Sequence, residues 1–273
     1  MKYDTLIISG GSVKGYAFLG SFKYLLDNEI IKLKEIKHII SASVGALMSL
    51  PILMGVNINV ISKVMFNTNI NLYDEKKFNI KNLFDDYGIY ENSELEKYTT
   101  IFCRYFLNKD NISLIDLYKK TKIKFTVKVS NITENKTEYI NYLNYPDLDL
   151  VTLIKMTTCV PLFFKPILYN NCLYCDGATG GALPIEYNKS KNYLAIYLTL
   201  LKNSDVVDNI ITYMYRVYNI YSFENDLNMY KKKKNIININ LYEPLKLEIT
   251  NKEKNKYFYE GYIQTKKYFN DLK

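Results

Sequence analysis

Residues 6–22 read LIISGGSVKGYAFLGSF, and this stretch decides the fold. It predicts an apolar strand over residues 3–9, a glycine-rich turn over 10–15, and a helix over 16–28 whose apolar side chains recur at helical spacing. Glycines let the backbone turn tightly and point several N–H groups into one concavity, and the N-terminus of the following helix adds positive potential. A turn of this kind is suited to holding a phosphate or stabilising an oxyanion.

Dinucleotide binding is an alternative for the same turn. That motif needs glycines in the pattern G-x-G-x-x-G after a strand. Gly10 and Gly15 fit its first and last positions, but Ser12 occupies the middle one. Glu35 lies at a plausible separation for a ribose contact, which keeps nucleotide binding open. A Walker A motif does not fit, because Lys14 is not followed by serine or threonine.

A second short motif, SASVG at residues 41–45, lies between an apolar strand and a helix. It matches a nucleophile elbow, in which a serine sits on a strained turn with small residues two places away on either side. Ser43 is therefore the candidate nucleophile. Gly45 fits the motif, whereas Ser41 stands where glycine is usual.

The only histidine, His38, precedes Ser43 by five residues on the strand that leads into the elbow. An extended chain of that length spans about 16 Å, so the imidazole cannot reach the Ser43 hydroxyl while the strand stays in the sheet. His38 is interpreted as structural, and a base for Ser43 must be a carboxylate, a lysine or a tyrosine. Asp176, which ends an apolar hairpin strand and is followed by Gly177, is a candidate.

The rest of the chain alternates between strand and helix patterns, which predicts an α/β sheet covered on both faces. No repeat or flexible linker divides it, so residues 1–273 are interpreted as one domain. Further strands are predicted over residues 38–40, 124–129, 139–140, around 167 and 173, 194–200 and 236–241. Further helices are predicted over residues 46–54, 93–107, 113–118, 150–158, 210–223 and at the end of the chain.

Composition restricts the possible partners. The chain has 273 residues, 48% of them hydrophobic, with a formal net charge of +8 and its densest basic run at residues 231–234. Such an excess of positive charge favours an anionic partner, either nucleic acid or a lipid headgroup surface. No recognition-helix or zinc-finger pattern accompanies it, so nucleic acid is not expected.

Four cysteines are too few for a disulfide scaffold in a chain of this length. Cys172 and Cys175 form a CxxC, but without a second such pair and with one histidine a metal site is not expected. They are interpreted as part of a strand that follows an Asn170-Asn171 turn. The N-terminus enters a strand without a signal-peptide pattern, which predicts a reducing, cytoplasmic location.

Residues 38–61 contain no charge beyond a protonated His38 and are long enough to cross a bilayer. They also include polar residues and a proline that suit lipid poorly. A buried strand, a tight turn and a buried helix are predicted instead of a membrane span.

Three stretches together resemble the patatin-like phospholipase family: residues 6–22, the elbow at 41–45, and TTCVPLFFKPILYNNCLYCDGATGGALPI at 157–185. The stretch SLIDLYKKTKIKFTVKVSN at 113–131 is also similar to the family segment that precedes its catalytic aspartate. The resemblance covers roughly residues 3–200. Residues 201–273 are less diagnostic and are interpreted as the C-terminal α/β completion of the same domain.

The resemblance implies a three-layer α/β/α fold with a mostly parallel central sheet. It also implies a Ser-Asp dyad, with Ser43 as nucleophile and Asp176 as general base. The oxyanion hole would be formed by the N–H groups of Gly10, Gly11 and Ser12. Supporting positions would be Lys14, Gly15, Gly45 and Gly177. The departures from the family pattern are Ser12 in place of a third glycine, Ser41, and Ala178 after the Asp-Gly pair.

The implied activity is a lipid acyl hydrolase of phospholipase A type, a serine esterase that works through an acyl-enzyme without metal or cofactor. Its expected substrate is a phospholipid or another long-chain acyl ester at an anionic membrane surface, to which the protein would bind peripherally. Residues 54–84, with Phe66, Leu72 and Phe84, are a candidate lid or membrane-facing edge. A catalytically silent lipid-binding or regulatory module on the same fold is the main alternative.

Overall fold

The computed structural model places a mostly parallel sheet at the centre of the chain, with helices packed against it. It describes residues 3–67, 80–91, 93–200, 233–241 and 249–272, together with single positions at 213, 216, 217, 220, 226 and 230. The strands are β1 (Thr5–Ile8), β2 (His38–Ala42), β3 (Gly88–Tyr90), β4 (Lys124–Asn131), β5 (Lys136–Ile140), β6 (Leu162–Phe164), β7 (Ile167–Tyr169), β8 (Cys172–Asp176), β9 (Tyr193–Leu200) and β10 (Ile236–Leu241). The helices are α1 (Tyr16–Asp27), α2 (Val44–Leu53), α3 (Ile58–Asn67), α4 (Ile80–Asp85), α5 (Ser93–Leu107), α6 (Leu114–Thr121), α7 (Leu150–Thr158) and α8 (Asn251–Asn270).

The central sheet follows the hydrogen-bonded path β10-β9-β1-β2-β4-β8-β7, and β5 pairs with β4 off this path. Strands β10, β9, β1, β2 and β4 are parallel, while β5, β7 and β8 are antiparallel to their neighbours. Strands β3 and β6 form a separate parallel pair. The predicted α/β fold with a mostly parallel sheet is therefore confirmed.

Strand β1 is buried on both faces, as its uninterrupted apolar run requires. Leu6 and Ile8 face a large apolar core that also contains side chains of α1, α2, α7 and α8. Ile7 faces a second, smaller core with Leu183 and Ile185, and the helical position Tyr230 packs beside that core. The sheet is thus covered on both faces, which gives the three-layer arrangement.

Strand β4 has pairing partners on both edges, and their registers explain how the sheet brings distant residues together. Residues 127–128 pair with β2 and β5, and residues 129–131 pair with β5 and β8. Because a strand has two edges, β2 and β8 share the edge opposite β5. Strand β2 runs parallel to β4 and ends at Ala42, whereas β8 runs antiparallel and ends at Asp176 beside the next residue of β4. The C-terminal ends of β2 and β8 therefore meet on one edge of β4.

Most predicted elements are present, with ends shifted by a few residues. The helix after the elbow begins at Val44 rather than at residue 46, because Ser43 itself is the N-cap. The helix predicted over residues 210–223 lies almost entirely outside the described residues, as do Lys231 and Lys232 of the basic run. The assignment of residues 1–273 to one domain stays a prediction.

Residues 38–61 form β2, the elbow, α2 and the start of α3, as predicted in place of a span. No helix in the described ranges is both long and apolar enough to cross a membrane. The Asn170-Asn171 turn is also confirmed, since both residues have positive φ and Cys172 begins β8.

Candidate active site

Ser43 occupies a strained turn between β2 and α2. Its φ of 51° and ψ of −135° place it in a region that L-residues rarely adopt, which is the backbone of a nucleophile elbow. The start of α2 lies so close to the end of β1 that a Cβ on Gly45 would overlap the carbonyl oxygen of Ser9. Glycine at position 45 is therefore required for this close approach.

Asp176 lies at the end of β8, and its carboxylate has a separate partner for each oxygen. Oδ2 accepts a hydrogen bond from Ser43 Oγ at 2.6 Å, and Oδ1 accepts one from the Ala178 amide at 2.7 Å. The carboxylate is buried, and the Asp176 amide donates to the Cys159 carbonyl at 2.8 Å. A Cβ on Gly177 would overlap the Lys128 carbonyl, so the turn that aims Asp176 at Ser43 needs glycine there.

Thr157, near the end of α7, is a site residue that sequence reasoning missed. Its Oγ1 accepts a hydrogen bond from the Ser43 amide at 2.8 Å and donates to the Lys128 carbonyl at 2.7 Å. The hydroxyl thus ties the elbow to β4. The only sequence signal was its place at the head of the TTCVP stretch.

The glycine-rich loop lies directly beside Ser43 and the turn that follows Asp176. A Cβ on Gly10 would stand 3.3 Å from the Ser43 Cβ and 3.0 Å from the Ala178 Cβ, so the loop backbone faces both residues. In this arrangement the Gly10 N–H donates to the Ala182 carbonyl at 3.0 Å, so it already has an acceptor, and its assignment to the oxyanion hole stays a prediction. Within the described part of the chain, the amides of Gly11 and Ser12 have no acceptor, which leaves these two as the candidate donors.

Ser12 departs from the family pattern at a position with a conformational reason for glycine. Its φ is 52°, in the left-handed region, where a Cβ costs about 1–2 kcal/mol. The loop keeps its shape with serine there, and residues Ser12–Gly15 form a 3₁₀ turn that leads into α1.

Lys14 lies within this 3₁₀ turn and is almost wholly buried. It is therefore not an ordinary exposed lysine at the start of a helix. Gly15 packs against Val44 and Met48 at the start of α2. The predicted supporting residues Lys14, Gly15, Gly45 and Gly177 therefore all lie near Ser43, Asp176 or the glycine-rich loop.

His38 lies at the other end of β2, where its Nε2 is 2.8 Å from Thr126 Oγ1 and its ring meets the edge of Tyr187. Burial lowers the pKa of His38 to about 4, with the charge of Lys124 acting in the same direction. The structural interpretation of His38 is confirmed. In the described ranges, no three His, Cys, Asp or Glu side chains cluster to hold a metal.

Comparison with known proteins identifies the family. The model of the patatin-like phospholipase family matches residues 6–188, which contain the glycine-rich loop, Ser43, Thr157 and Asp176. The chain belongs to this family. The resemblance drawn from its motifs is therefore confirmed.

Two viral proteins are similar in sequence to this patatin-like chain. The probable lipid hydrolase 463L of Invertebrate iridescent virus 6 is 25% identical over 232 residues, which are 82% of this chain and 76% of that protein. The uncharacterized protein R571 of Acanthamoeba polyphaga mimivirus is 24% identical over 223 residues, 81% of this chain and 73% of that protein.

Two solved structures share the fold of this patatin-like chain. VipD from Legionella pneumophila has a TM-score of 0.67 at 17% identity, over 98% of this chain and 67% of VipD. Full-length ExoU from the type III secretion system of Pseudomonas aeruginosa, solved in complex with SpcU, has a TM-score of 0.54 at 13% identity, over 98% of this chain and 52% of ExoU. The chain thus spans about half the length of ExoU, and at these identities the likeness concerns the fold alone.

Proposed function

We propose that this protein is a lipid acyl hydrolase of phospholipase A type, in which Ser43 and Asp176 form a catalytic dyad. The observation that carries the proposal is the 2.6 Å hydrogen bond from Ser43 Oγ to Asp176 Oδ2 at a strained elbow. Membership of the patatin-like phospholipase family and the name of the viral relative, probable lipid hydrolase, support a lipid substrate.

In the first step, Ser43 Oγ attacks the carbonyl carbon of the ester while its proton passes to Asp176 Oδ2. Because the two oxygens are already hydrogen-bonded, the transfer needs no movement of either side chain. The hydrogen bond from the Ala178 amide to Oδ1 keeps the carboxylate plane fixed. Asp176 then returns the proton to the leaving alcohol, and an acyl-enzyme on Ser43 remains.

The oxyanion formed in this step faces the amides of Gly11 and Ser12, and the N-terminus of α2 adds positive potential beside Ser43. A water molecule then gives its proton to Asp176 and attacks the acyl carbon. Collapse of the second tetrahedral intermediate releases the fatty acid and restores the Ser43 hydroxyl, so the cycle consumes one ester and one water.

The proposed substrate is a phospholipid or another long-chain acyl ester at an anionic membrane surface, in keeping with the net charge of +8. The residues named from the sequence for an apolar membrane-facing edge differ in exposure. Phe66 is half-buried and packs between Tyr16 and Phe258, with ring centroids 5.8 and 5.6 Å away. Leu72 lies outside the described residues, whereas Phe84 is exposed, and Tyr87 beside it is also exposed.

The test is release of fatty acid from mixed phosphatidylcholine and phosphatidylserine vesicles with EDTA present, comparing wild type with Ser43→Ala and Asp176→Asn. We expect release by wild type and loss of about 1000-fold or more in both variants, since the nucleophile and its base act as a unit. Equal release by wild type and Ser43→Ala would contradict the proposal.

A silent lipid-binding module is the second candidate, and the occupied Gly10 amide favours it because one expected oxyanion donor is missing. A fluorophosphonate probe separates the two. Labelling of wild type but not of Ser43→Ala supports an enzyme, whereas vesicle binding without labelling supports the silent module. The nucleotide-binding alternative predicts thermal stabilisation by NAD or ATP, which we do not expect from a patatin-like chain.

A further inference from the structure

The backbone segment 181–183, which follows the turn after Asp176, is held from two directions by buried charged side chains. Lys128 Nζ donates to the Gly181 carbonyl at 2.9 Å. Asp226 accepts hydrogen bonds from the Ala182 amide at 3.0 Å and from the Leu183 amide at 3.1 Å. Three consecutive residues are therefore fixed through their main chains.

Both charged residues are almost inaccessible to water, each with a relative exposure of 2%. Burying a charge is unfavourable unless it is paired and hydrogen-bonded. Lys128 meets this need with Glu186 Oε1 at 2.9 Å, an oxygen that also accepts from the Tyr139 hydroxyl. Burial raises the pKa of Asp226 to about 6, while the Leu183 amide, the Tyr197 hydroxyl, the Ala182 amide and the charge of Lys128 act in the opposite direction.

The held segment connects directly to the glycine-rich loop. The Ala182 carbonyl accepts the hydrogen bond from the Gly10 amide, and a Cβ on Gly10 would stand 3.7 Å from the Ala182 Cβ. The backbone of Lys128 reaches the same site from the other side, since its carbonyl accepts from Thr157 Oγ1, which in turn holds the Ser43 amide. One chain of contacts thus links the two buried charges to the dyad and to the loop.

We propose that Lys128 and Asp226 are positioning residues, which fix segment 181–183 and, through the Ala182 carbonyl, hold the glycine-rich loop in place relative to Ser43 and Asp176. This inference rests on the proposed function as an acyl hydrolase. Neither residue touches the reacting atoms. Their effect is to keep the oxyanion donors and the base in one fixed arrangement, where a displacement of about 1 Å lowers turnover by about 100-fold.

The test compares Lys128→Met and Asp226→Asn with two matched controls. Lys124→Met removes a lysine from the same strand, whose ammonium lies over the ring of Tyr187. Asp4→Asn removes a carboxylate that is hydrogen-bonded to Thr5 and Ser190 at the start of β1, away from the dyad. If Lys128→Met does not fold, the double variant Lys128→Met/Glu186→Gln removes both members of the ion pair.

The first measurement is amide hydrogen exchange in peptides covering residues 9–15 and 177–183, which requires no catalytic activity. The second is kcat and KM on a soluble short-chain ester. We expect exchange at Gly10 to be faster by about 10-fold in Asp226→Asn, although Asp226 does not touch Gly10. We expect kcat to fall by about 10- to 100-fold with KM changed less than twofold in both variants, and neither effect in the controls.

Unchanged exchange at Gly10 in Asp226→Asn, or kcat values equal to those of the controls, would overturn the inference. Failure of the proposed function has a different signature. In that case wild type and Ser43→Ala hydrolyse the ester equally, while the exchange measurement still decides whether the two buried charges hold the loop.

Discussion

Ser43 Oγ and Asp176 Oδ2 lie 2.6 Å apart where β2 and β8 end against each other on one edge of β4. The two side chains therefore meet across a gap between strands, and the register of β4 with its neighbours brings them together. Residues that touch β4 or the two strand ends should influence the dyad even when they do not contact substrate.

Thr157 is such a residue. Replacing it with valine removes the hydroxyl that bridges the Ser43 amide and the Lys128 carbonyl, and each buried group left unpaired costs about 1–3 kcal/mol. We expect a lower free energy of unfolding in urea and a fall in kcat of about 10-fold on a soluble ester. Thr157→Ser retains the hydroxyl and should recover most of both losses. Equal behaviour of the valine and serine variants would refute a role for the hydroxyl.

Ser12→Gly should stabilise the protein. The φ of 52° at this position disfavours a side chain, so glycine relieves backbone strain in the folded state. The greater conformational freedom of glycine in the unfolded chain offsets about 0.5–1 kcal/mol of that stabilisation. We expect a net gain of up to about 1 kcal/mol, seen as a rise in Tm of about 2–4 °C. Ser12→Ala keeps a Cβ and serves as the control, with no such rise expected.

Ser41 and Ser9 make a matched pair of buried serines with opposite expected effects. The Ser41 hydroxyl has no hydrogen-bond partner among the described residues, so Ser41→Ala should be neutral or raise the free energy of unfolding by about 1 kcal/mol. Ser9 Oγ donates to the Gly10 carbonyl at 2.8 Å and accepts from the Leu198 amide at 3.0 Å, so Ser9→Ala should be destabilising. Urea unfolding of both variants measures the two effects. Destabilisation by Ser41→Ala would contradict the view that the Ser41 hydroxyl has no hydrogen-bond partner among the described residues.

His38 should make stability depend on pH. Burial lowers its pKa in the folded state from 6.5 to about 4, so between these values the unfolded chain binds the extra proton. Its contribution to stability is present above pH 6.5 and is lost as pH falls toward 4. Asp226 acts in the opposite sense, because its pKa is raised from 3.8 to about 6 by burial and the folded state holds the proton.

Urea unfolding between pH 4.5 and pH 7 measures both effects. We expect His38→Gln to weaken the gain in stability with rising pH and Asp226→Asn to strengthen it. The same slope in wild type and His38→Gln would show that the imidazole titrates alike in both states.

Phe84 and Tyr87 are close in sequence and both exposed, with 76% and 62% of their surfaces accessible. Inserting two aromatic side chains into a bilayer surface removes apolar area from water, so Phe84→Ser/Tyr87→Ser should weaken binding to phosphatidylserine-containing vesicles by about 10-fold or more. Cosedimentation measures binding, and hydrolysis of a soluble ester should stay unchanged. Leu143→Ser is the control, because Leu143 is 67% exposed in the loop after β5. An equal loss of vesicle binding in Leu143→Ser would contradict the proposal that Phe84 and Tyr87 contact the membrane.

Ser43 and Asp176 could be chosen as candidates because each lies in a local pattern, while their pairing as a dyad was implied by the family resemblance. Ser43 follows a strand and precedes a helix within a short string of small residues, and Asp176 precedes a glycine at the end of a hairpin strand. The same local patterning predicted most strands and helices to within a few residues, whereas β3, β6, α3 and α4 were not assigned. Since these features depend on neighbours in the chain, one sequence was sufficient.

Thr157, Asp226 and the bonded state of the Gly10 amide could not be predicted, because they depend on contacts across the sheet. Asp226 contacts residues more than 40 positions away and lies beyond the helix that was predicted over residues 210–223. The hydrogen bond between Gly10 and Ala182 joins two loops that are far apart in the sequence. Side chains that act through the main chain of other residues leave no motif of their own.

The place of β9 beside β1 has a consequence for how the protein is made. Strand β1 is synthesised long before one of its two neighbours, Tyr193–Leu200, and Leu198 packs against Gly11 of the loop that follows β1. A nascent chain that has not yet reached β9 lacks this support, and one that has not reached Asp176 lacks the dyad. Whatever chemistry this site performs is thus withheld until the chain through β9 has left the ribosome, so a nascent chain that ends before Leu200 lacks a complete site.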